Sequence, residues 1–397
     1  MKPHIDAGKL VMLGLIQEQH ADRCQLFKQW KQLDFPVAQD ALNTNGIAVV
    51  PVYVAIDEHG VVRGRPRSPR SFDQEFLDRK FDPPSQAATQ LTMDVMDPQA
   101  QQPAGAESGS IDQLIRAGDA GVLWQHSSSA VKQSIKHYRQ ALQRDPQRSD
   151  VLFRLGVANR LLYELGNQSD ASLFKQSVSD WESALKLNPN QYIYRRRIEQ
   201  YGPRLKKPYS FYDWVAQARE ELADRGEKPI PLAVEPNGAE LAKRARMMEV
   251  DDSAVNPDPD GAITEDSGQW VRVHANTVPT SPQPGDVVAV HVGFKVTGQA
   301  KWNHETTPLQ VWIEQPAAES IKLSSQLIVD QTPYRTADST QPVSISFEVQ
   351  VPETQQQSFE LKGFALFNIC ETQNGQCVYR RREFSVQVPV RNRSEAR

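Results

Sequence analysis

Three cysteines hold most of the reactive chemistry of this sequence, and two are close neighbours. Cys370 and Cys377 flank the stretch Glu-Thr-Gln-Asn374-Gly375-Gln. Asn-Gly is the strongest short turn signal, because both residues tolerate positive φ. A β-forming run enters it from Phe359 to Cys370, and another leaves it from Cys377 to Val388. The spacing predicts a hairpin whose two thiols come within disulfide reach. Two uses for such a bond stay open. Closing a ring of about eight residues stabilises by roughly 2.5 kcal/mol in the chain-entropy model, which makes a structural staple. A bond at an exposed hairpin tip is also easy to reach and reduce, which makes a redox pair. The third thiol, Cys24, shares a stripe with Phe27, Trp30 and Leu33. That is the apolar face of an amphipathic helix, where a cysteine acts as a small hydrophobe.

Other chemistry is sparse. Trp302-Asn303-His304-Glu305 lacks metal-ligand spacing and the eight histidines are scattered, so no metal site and no cofactor are expected. No nucleophile elbow, P-loop or GxGxxG occurs. Arg63-Gly-Arg65-Pro-Arg67-Ser-Pro-Arg70 reads as solvated loop charge, with no aromatic platform for a nucleic acid. Arg195 to Arg197 with Arg204, Lys206 and Lys207 make a basic helix face. A net charge of −4 over 397 residues gives no pull toward nucleic acid. No apolar run is long enough to span a bilayer. The first residues carry no signal-peptide pattern, so the sequence as written reads as cytoplasmic.

Six stretches position these residues. Residues 1–82 alternate strand and helix: a continuous apolar strand from Lys9 to Ile16, a helix from Asp22 to Leu33, and strands from Phe35 to Ala38 and Ala48 to Ile56. A turn at Asp57 to Gly60 and a closing helix from Ser71 to Phe81 complete an α/β domain. The apolar run is expected to be a central strand buried on both faces. Residues 83–110, rich in Gln, Ala, Pro and Ser, read as a flexible linker. From 111 to 228 the sequence is helical and repeats itself. Ser134-x3-Tyr138-x2-Ala141-x4-Pro146 matches Ser177-x3-Trp181-x2-Ala184-x4-Pro189, with Leu152-x2-Leu155-Gly156 between them. Small residues allow close helix approach, the aromatic fills the groove, and proline ends the helix. Residues 229–269 read as an acidic, proline-marked linker. From 270 to 391 the period becomes two, with Val288 to Val296, Val343 to Val351 and Phe384 to Val390 alternating as half-buried strands of a β-sandwich. Residues 392–397 form a tail.

These patterns carry three resemblances. Gly8-Lys9 before an apolar strand, a helix opening near a cysteine, and Val49-Val50-Pro51 before Val52 to Gly60 resemble the thioredoxin-like fold of the redoxin and TlpA group. That resemblance implies a cis proline at Pro51, packed beside a Cys-x-x-Cys at the helix start. The aligned positions here are Ala21 and Cys24, so the attacking thiol is absent and no thioredoxin cycle is expected. The repeat resembles a tetratricopeptide array, which implies a protein partner. The segment from Phe364 through Cys377 to Phe384 is similar to the amino-terminal, immunoglobulin-like domain of the DsbD family of bacterial thiol–disulfide interchange proteins. That resemblance implies that Cys370 and Cys377 are an exchanging pair in an extracytoplasmic compartment. The expected fold class is thus multidomain: an α/β thioredoxin-like domain, an all-α repeat array and an all-β immunoglobulin-like sandwich. The expected function is redox-associated, with a non-enzymatic adaptor held together by a structural disulfide as the alternative.

Overall fold

The computed structural model describes residues 2–48, 52–64, 72–85, 110–125, 127–203, 214–234, 248, 250–251, 253–267, 270–298, 300–303, 306–316, 321–330, 340–354, 357–371 and 376–391. Pro51, most of the 83–110 linker, Arg65 to Arg70, His304 and Glu305, Arg204 to Lys207, the Asn374–Gly375 turn and the tail lie outside them. The chain is multidomain and combines helices with a β-rich C-terminal region. It divides into two compact units, residues 1–158 with 183–195, and residues 159–182 with 196–397.

In the first unit a short helix α1 (Lys2–Asp6) precedes strand β1 (Gly14–Ile16), helix α2 (Ala21–Lys31) and strand β2 (Val37–Gln39). β1 and β2 pair in parallel, Gly14 opposite Val37, which requires a crossover such as α2 between them. α2 buries Arg23, Cys24, Leu26 and Trp30. It ends at Gln32, whose φ of 50° is left-handed. The long central strand expected from Lys9 to Ile16 is shortened to three residues, and Val11, Leu13 and Leu15 are 84%, 58% and 49% exposed. Only one neighbour pairs with β1 among the described residues, so the apolar run is not covered on both faces. Of the strand expected from Ala48 to Ile56, Ala55–Ile56 forms β3, paired antiparallel with β4 (Val62–Gly64). The Asp57 carboxylate accepts the His59 and Val61 N–H groups at 2.9 Å and fixes the turn between them. The closing helix is reduced to a π-helical turn, Asp73–Leu77.

Four helices with residues in this unit carry the repeat. α3 (Ile111–Ala120) opens on a capping box formed by Ser110 and Gln113. α4 (Ser128–Arg144), α5 (Ser149–Leu165), α6 (Ala171–Leu187) and α7 (Tyr192–Glu199) follow. Ser134, Tyr138 and Ala141 are 1% exposed or less, as are Ser177, Trp181 and Ala184. The small positions serve close approach. A Cβ on Gly118 would collide with the Tyr138 ring, and one on Gly121 with the Ser134 hydroxyl.

The second unit adds α8 (Trp214–Asp224) and two antiparallel sheets. One sheet has the order β5 (Val271–Val278), β6 (Val287–Val296), β11 (Val343–Gln350), β9 (Lys322–Leu323). The other runs β10 (Leu327–Val329), β8 (Gln310–Ile313), β12 (Phe359–Glu371), β13 (Cys377–Val388), with β7 (Ala300–Trp302) also on β12. Val288 to Phe294 of the first sheet and Ile313, Phe367 and Val388 of the second bury their inward side chains in one core. Period-two alternation produces this, because alternate residues share a face.

Two expectations change here. β6 is buried on both faces, not one. Its second face meets helical residues of the same unit: His291 Nε2–H donates to the Tyr201 carbonyl at 2.6 Å, and Tyr163 Oη lies 2.7 Å from His274 Nε2 on β5. The acidic stretch read as a linker also packs, over residues 250–267. Ala254 and Ile263 cover Trp312, Phe364 and Leu366, and Asp266, 2% exposed, accepts the Trp270 and Val271 N–H groups at 3.0 Å. Its acidic side chains are anchors with fixed partners.

Candidate functional site

The expected cysteine pair is the candidate site. β12 and β13 pair without a break from Phe359↔Val388 to Cys370↔Cys377, so register alone sets the two cysteines opposite each other. They are joined by a disulfide, with Cα atoms 4.0 Å apart, and Cys24 remains a buried free thiol. The two sulfur-bearing residues differ in access. Cys370 is 8% exposed, whereas Cys377 on the edge strand is exposed. Cys370 is covered because β7 pairs with β12 on its other side, Lys301 opposite Cys370. Paired residues of adjacent strands point to one face. A single row across three strands therefore reads Lys301, Cys370, Cys377.

The same face continues along the hairpin through Asn368↔Tyr379, Leu366↔Arg381 and Phe364↔Glu383. Arg381 organises it. Its guanidinium lies 3.7 Å above the Phe364 ring and 2.8 Å from Asp258 Oδ2. Asp258 Oδ1 accepts the Ala262 N–H at 2.8 Å. Burial alone would raise the Asp258 pKa, but Arg381 and the backbone N–H groups outweigh it and hold the carboxyl below its usual value. Arg381 N–H donates to the Thr264 carbonyl and the Asp266 N–H to the Arg381 carbonyl, so the 264–266 segment pairs with the outer edge of β13. Tyr379 is pushed up by burial and then by the Asp258 charge.

The sequence-expected residues of the first unit separate into two groups. Ala21 begins α2 exposed, and Cys24 lies on its buried side. Burial pushes the Cys24 thiol up, Lys28 opposing, so it is neither accessible nor activated. No second thiol is described near it. Trp302 is a core residue whose indole N–H donates to the Gln341 carbonyl at 3.0 Å. No cluster of metal-ligating side chains occurs among the described residues. No helix among them is long and apolar enough to cross a membrane.

Lys301, Asp258 and Arg381 were not singled out by sequence reasoning. One signal existed. Phe364-Ala-Leu-Phe367 is apolar without alternation, which marks a strand covered on both faces. Nothing local to residues 250–267 tells which strand would receive them.

No protein family matches the sequence, and no curated protein matches it. Among solved structures, AvmM, which catalyses macrocyclization in alchivemycin A biosynthesis, is 13% identical with a TM-score of 0.19, covering 30% of this chain and 89% of that one. The sporulation control protein Spo0M from Bacillus subtilis is 12% identical with a TM-score of 0.17, covering 31% of this chain and 49% of that one. The bacterial hydrophobin BslA is 10% identical with a TM-score of 0.17, covering 31% of this chain and 95% of that one. Likeness of this degree carries no argument about function.

Proposed function

We propose that this chain is a thiol–disulfide redox-associated protein that exchanges the Cys370–Cys377 bond with a protein partner. In this reading residues 1–82 are a degenerate thioredoxin-like domain, the helical repeat is a tetratricopeptide array that engages a protein, and the sandwich is immunoglobulin-like and of DsbD type. The observation that carries the reading is the unequal access of the two cysteines, Cys377 exposed and Cys370 buried. A thiolate of a dithiol partner attacks Cys377 Sγ, forming a mixed disulfide while Cys370 leaves as thiolate. The partner's second thiol then attacks its own sulfur in that mixed disulfide and releases Cys377. The partner ends oxidised, and this chain takes up two electrons and two protons. Lys301 beside Cys370 favours the departing thiolate.

The deciding experiment equilibrates the protein with glutathione buffers. A reduction potential between about −120 and −270 mV supports exchange, and one below about −300 mV makes the bond a staple. Trapping gives a second reading of the same question. In Cys370→Ser the exposed Cys377 keeps its thiol and lacks the group that would resolve a mixed disulfide. It should therefore hold a disulfide-bearing partner, whereas Cys377→Ser should not.

One observation favours the adaptor reading: Ala21 stands where a redoxin carries its nucleophile. In that reading the redox-derived domains serve recognition and the disulfide is structural. Failure of both single variants to trap anything, with a melting temperature several degrees lower for the double variant, selects it.

A further inference from the structure

The first helices of the successive helix pairs, α3, α5 and α7, meet one another within the first unit. Arg154 of α5 is 3.1 Å from Asp119 of α3, and the Phe153 ring stacks on Tyr194 of α7 with centroids 4.6 Å apart. In a stack of helix pairs the helices of one rank line one broad face, the surface on which such arrays hold a polypeptide. In this chain that face already has an occupant. The Gln19 side-chain amide donates to the Val157 carbonyl of α5 at 3.4 Å, and the Tyr192 N–H at the start of α7 donates to the Ala48 carbonyl at 3.3 Å. Asp40 lies near enough to Asp119 of α3 for its charge to act there. Each of the three helices is therefore engaged by residues 19–48. Gln19, His20, Asp40, Leu42 and Asn43 are each 7% exposed or less. These include side chains just ahead of α2 and in the loop after β2, which an isolated small α/β domain would present to solvent.

We infer that residues 19–48 are a ligand in cis for the repeat, held on the face lined by α3, α5 and α7. An outside protein reaches that face only by displacing them. The inference rests on the reading of α3 to α7 as stacked helix pairs and is independent of the cysteines. The contact contains its own weakness. Asp40 Oδ2 is buried without a hydrogen-bond partner among the described residues, and it faces a second carboxylate at Asp119. A buried, under-satisfied charge of this kind makes a docked segment releasable.

The test uses the full-length protein with a specific protease site introduced among residues 86–109. After cleavage of the folded protein, the two pieces should co-elute in gel filtration at about 1 μM, a concentration that weak contacts do not survive. Asp40→Asn removes the like-charge repulsion and should slow separation of the pieces on dilution about tenfold. Gln19→Glu sets a carboxylate against the Val157 carbonyl and should speed it by a similar factor. Circular dichroism of each piece keeps misfolding apart from release. The inference is overturned if the unsubstituted pieces separate while both stay folded, or if the two variants dissociate at the rate of the parent.

Discussion

At the scale of single residues, three thiols of one chain have three different environments. Cys24 is buried on α2 with its pKa raised, Cys370 is covered in a strand flanked on both sides, and Cys377 stands exposed on an edge. In the reduced, folded protein, iodoacetamide should label Cys377 first, Cys370 later and Cys24 only on unfolding. Mass mapping over time checks the order, and early labelling of Cys24 would contradict its placement. Lys301 gives the sharper residue-scale prediction. A cation beside a thiolate stabilises the reduced form, so Lys301→Met should move the potential of the pair to a more negative value. A change of about one pKa unit at Cys370 corresponds to roughly 30 mV. An unchanged potential would show that the ammonium does not act on the sulfur.

At the scale of elements, the helices depend on aromatic residues set in gaps made by small ones. Trp181 is fully buried and stacks on Tyr201 at a centroid distance of 5.5 Å. Trp181→Ala should destabilise by about 3–5 kcal/mol, read as a lowered denaturant midpoint. A midpoint equal to wild type would remove the basis for matching Trp181 with Tyr138. Gly118→Ala acts from the opposite direction, forcing a methyl into the Tyr138 ring, and should cost about 1–3 kcal/mol. In the sandwich, the 250–267 segment is held by the ion pair of Asp258 with Arg381. Arg381→Ala leaves the Asp258 carboxylate without that partner and uncovers Phe364. It should release the segment, seen as new protease cleavage between residues 250 and 267.

At the scale of the whole molecule, two buried groups give the two units opposite responses to acid. In the second unit, burial pushes the His291 pKa down to about 4, Arg160 adding to it and the bond to the Tyr201 carbonyl opposing. The unfolded chain takes up a proton there near pH 6.5, which the folded unit resists until about pH 4. The neutral ring therefore contributes fully above pH 6.5, and up to about 3 kcal/mol is lost as pH falls toward 4. In the first unit, burial pushes Asp119 up to about 6 against the pull of Arg154. Its contribution is greatest below the unfolded carboxyl pKa near 4 and declines as pH rises through 6, by about 3 kcal/mol. Calorimetry of the full chain between pH 4 and 7 should show two transitions moving in opposite directions with pH. His291→Phe should flatten the one assigned to the second unit.

The sequence by itself determined what depends on local chemistry and period. Alternation placed Val288 to Val296 and Val343 to Val351 on one buried face, because strand geometry permits no other arrangement for such a pattern. The repeated small–aromatic–small spacing marked the residues that became fully buried. The Asn-Gly signal between two β runs marked Cys370 and Cys377 as opposite residues of one hairpin, and they form the disulfide. Only the tertiary structure decided what covers what. Val11, Leu13 and Leu15 are apolar enough for a core, yet burial also needs neighbours on both sides of the strand, which no local pattern specifies. Residues 250–267 have a linker's composition, but Asp258 and Asp266 find Arg381 and the backbone of residues 270–271. The second face of β6 carries Ala289, His291 and Gly293, a small and weakly polar set that reads as solvent-facing until helical residues of the same unit lie on it. Such contacts join residues far apart in sequence, where period and composition carry no information about the partner.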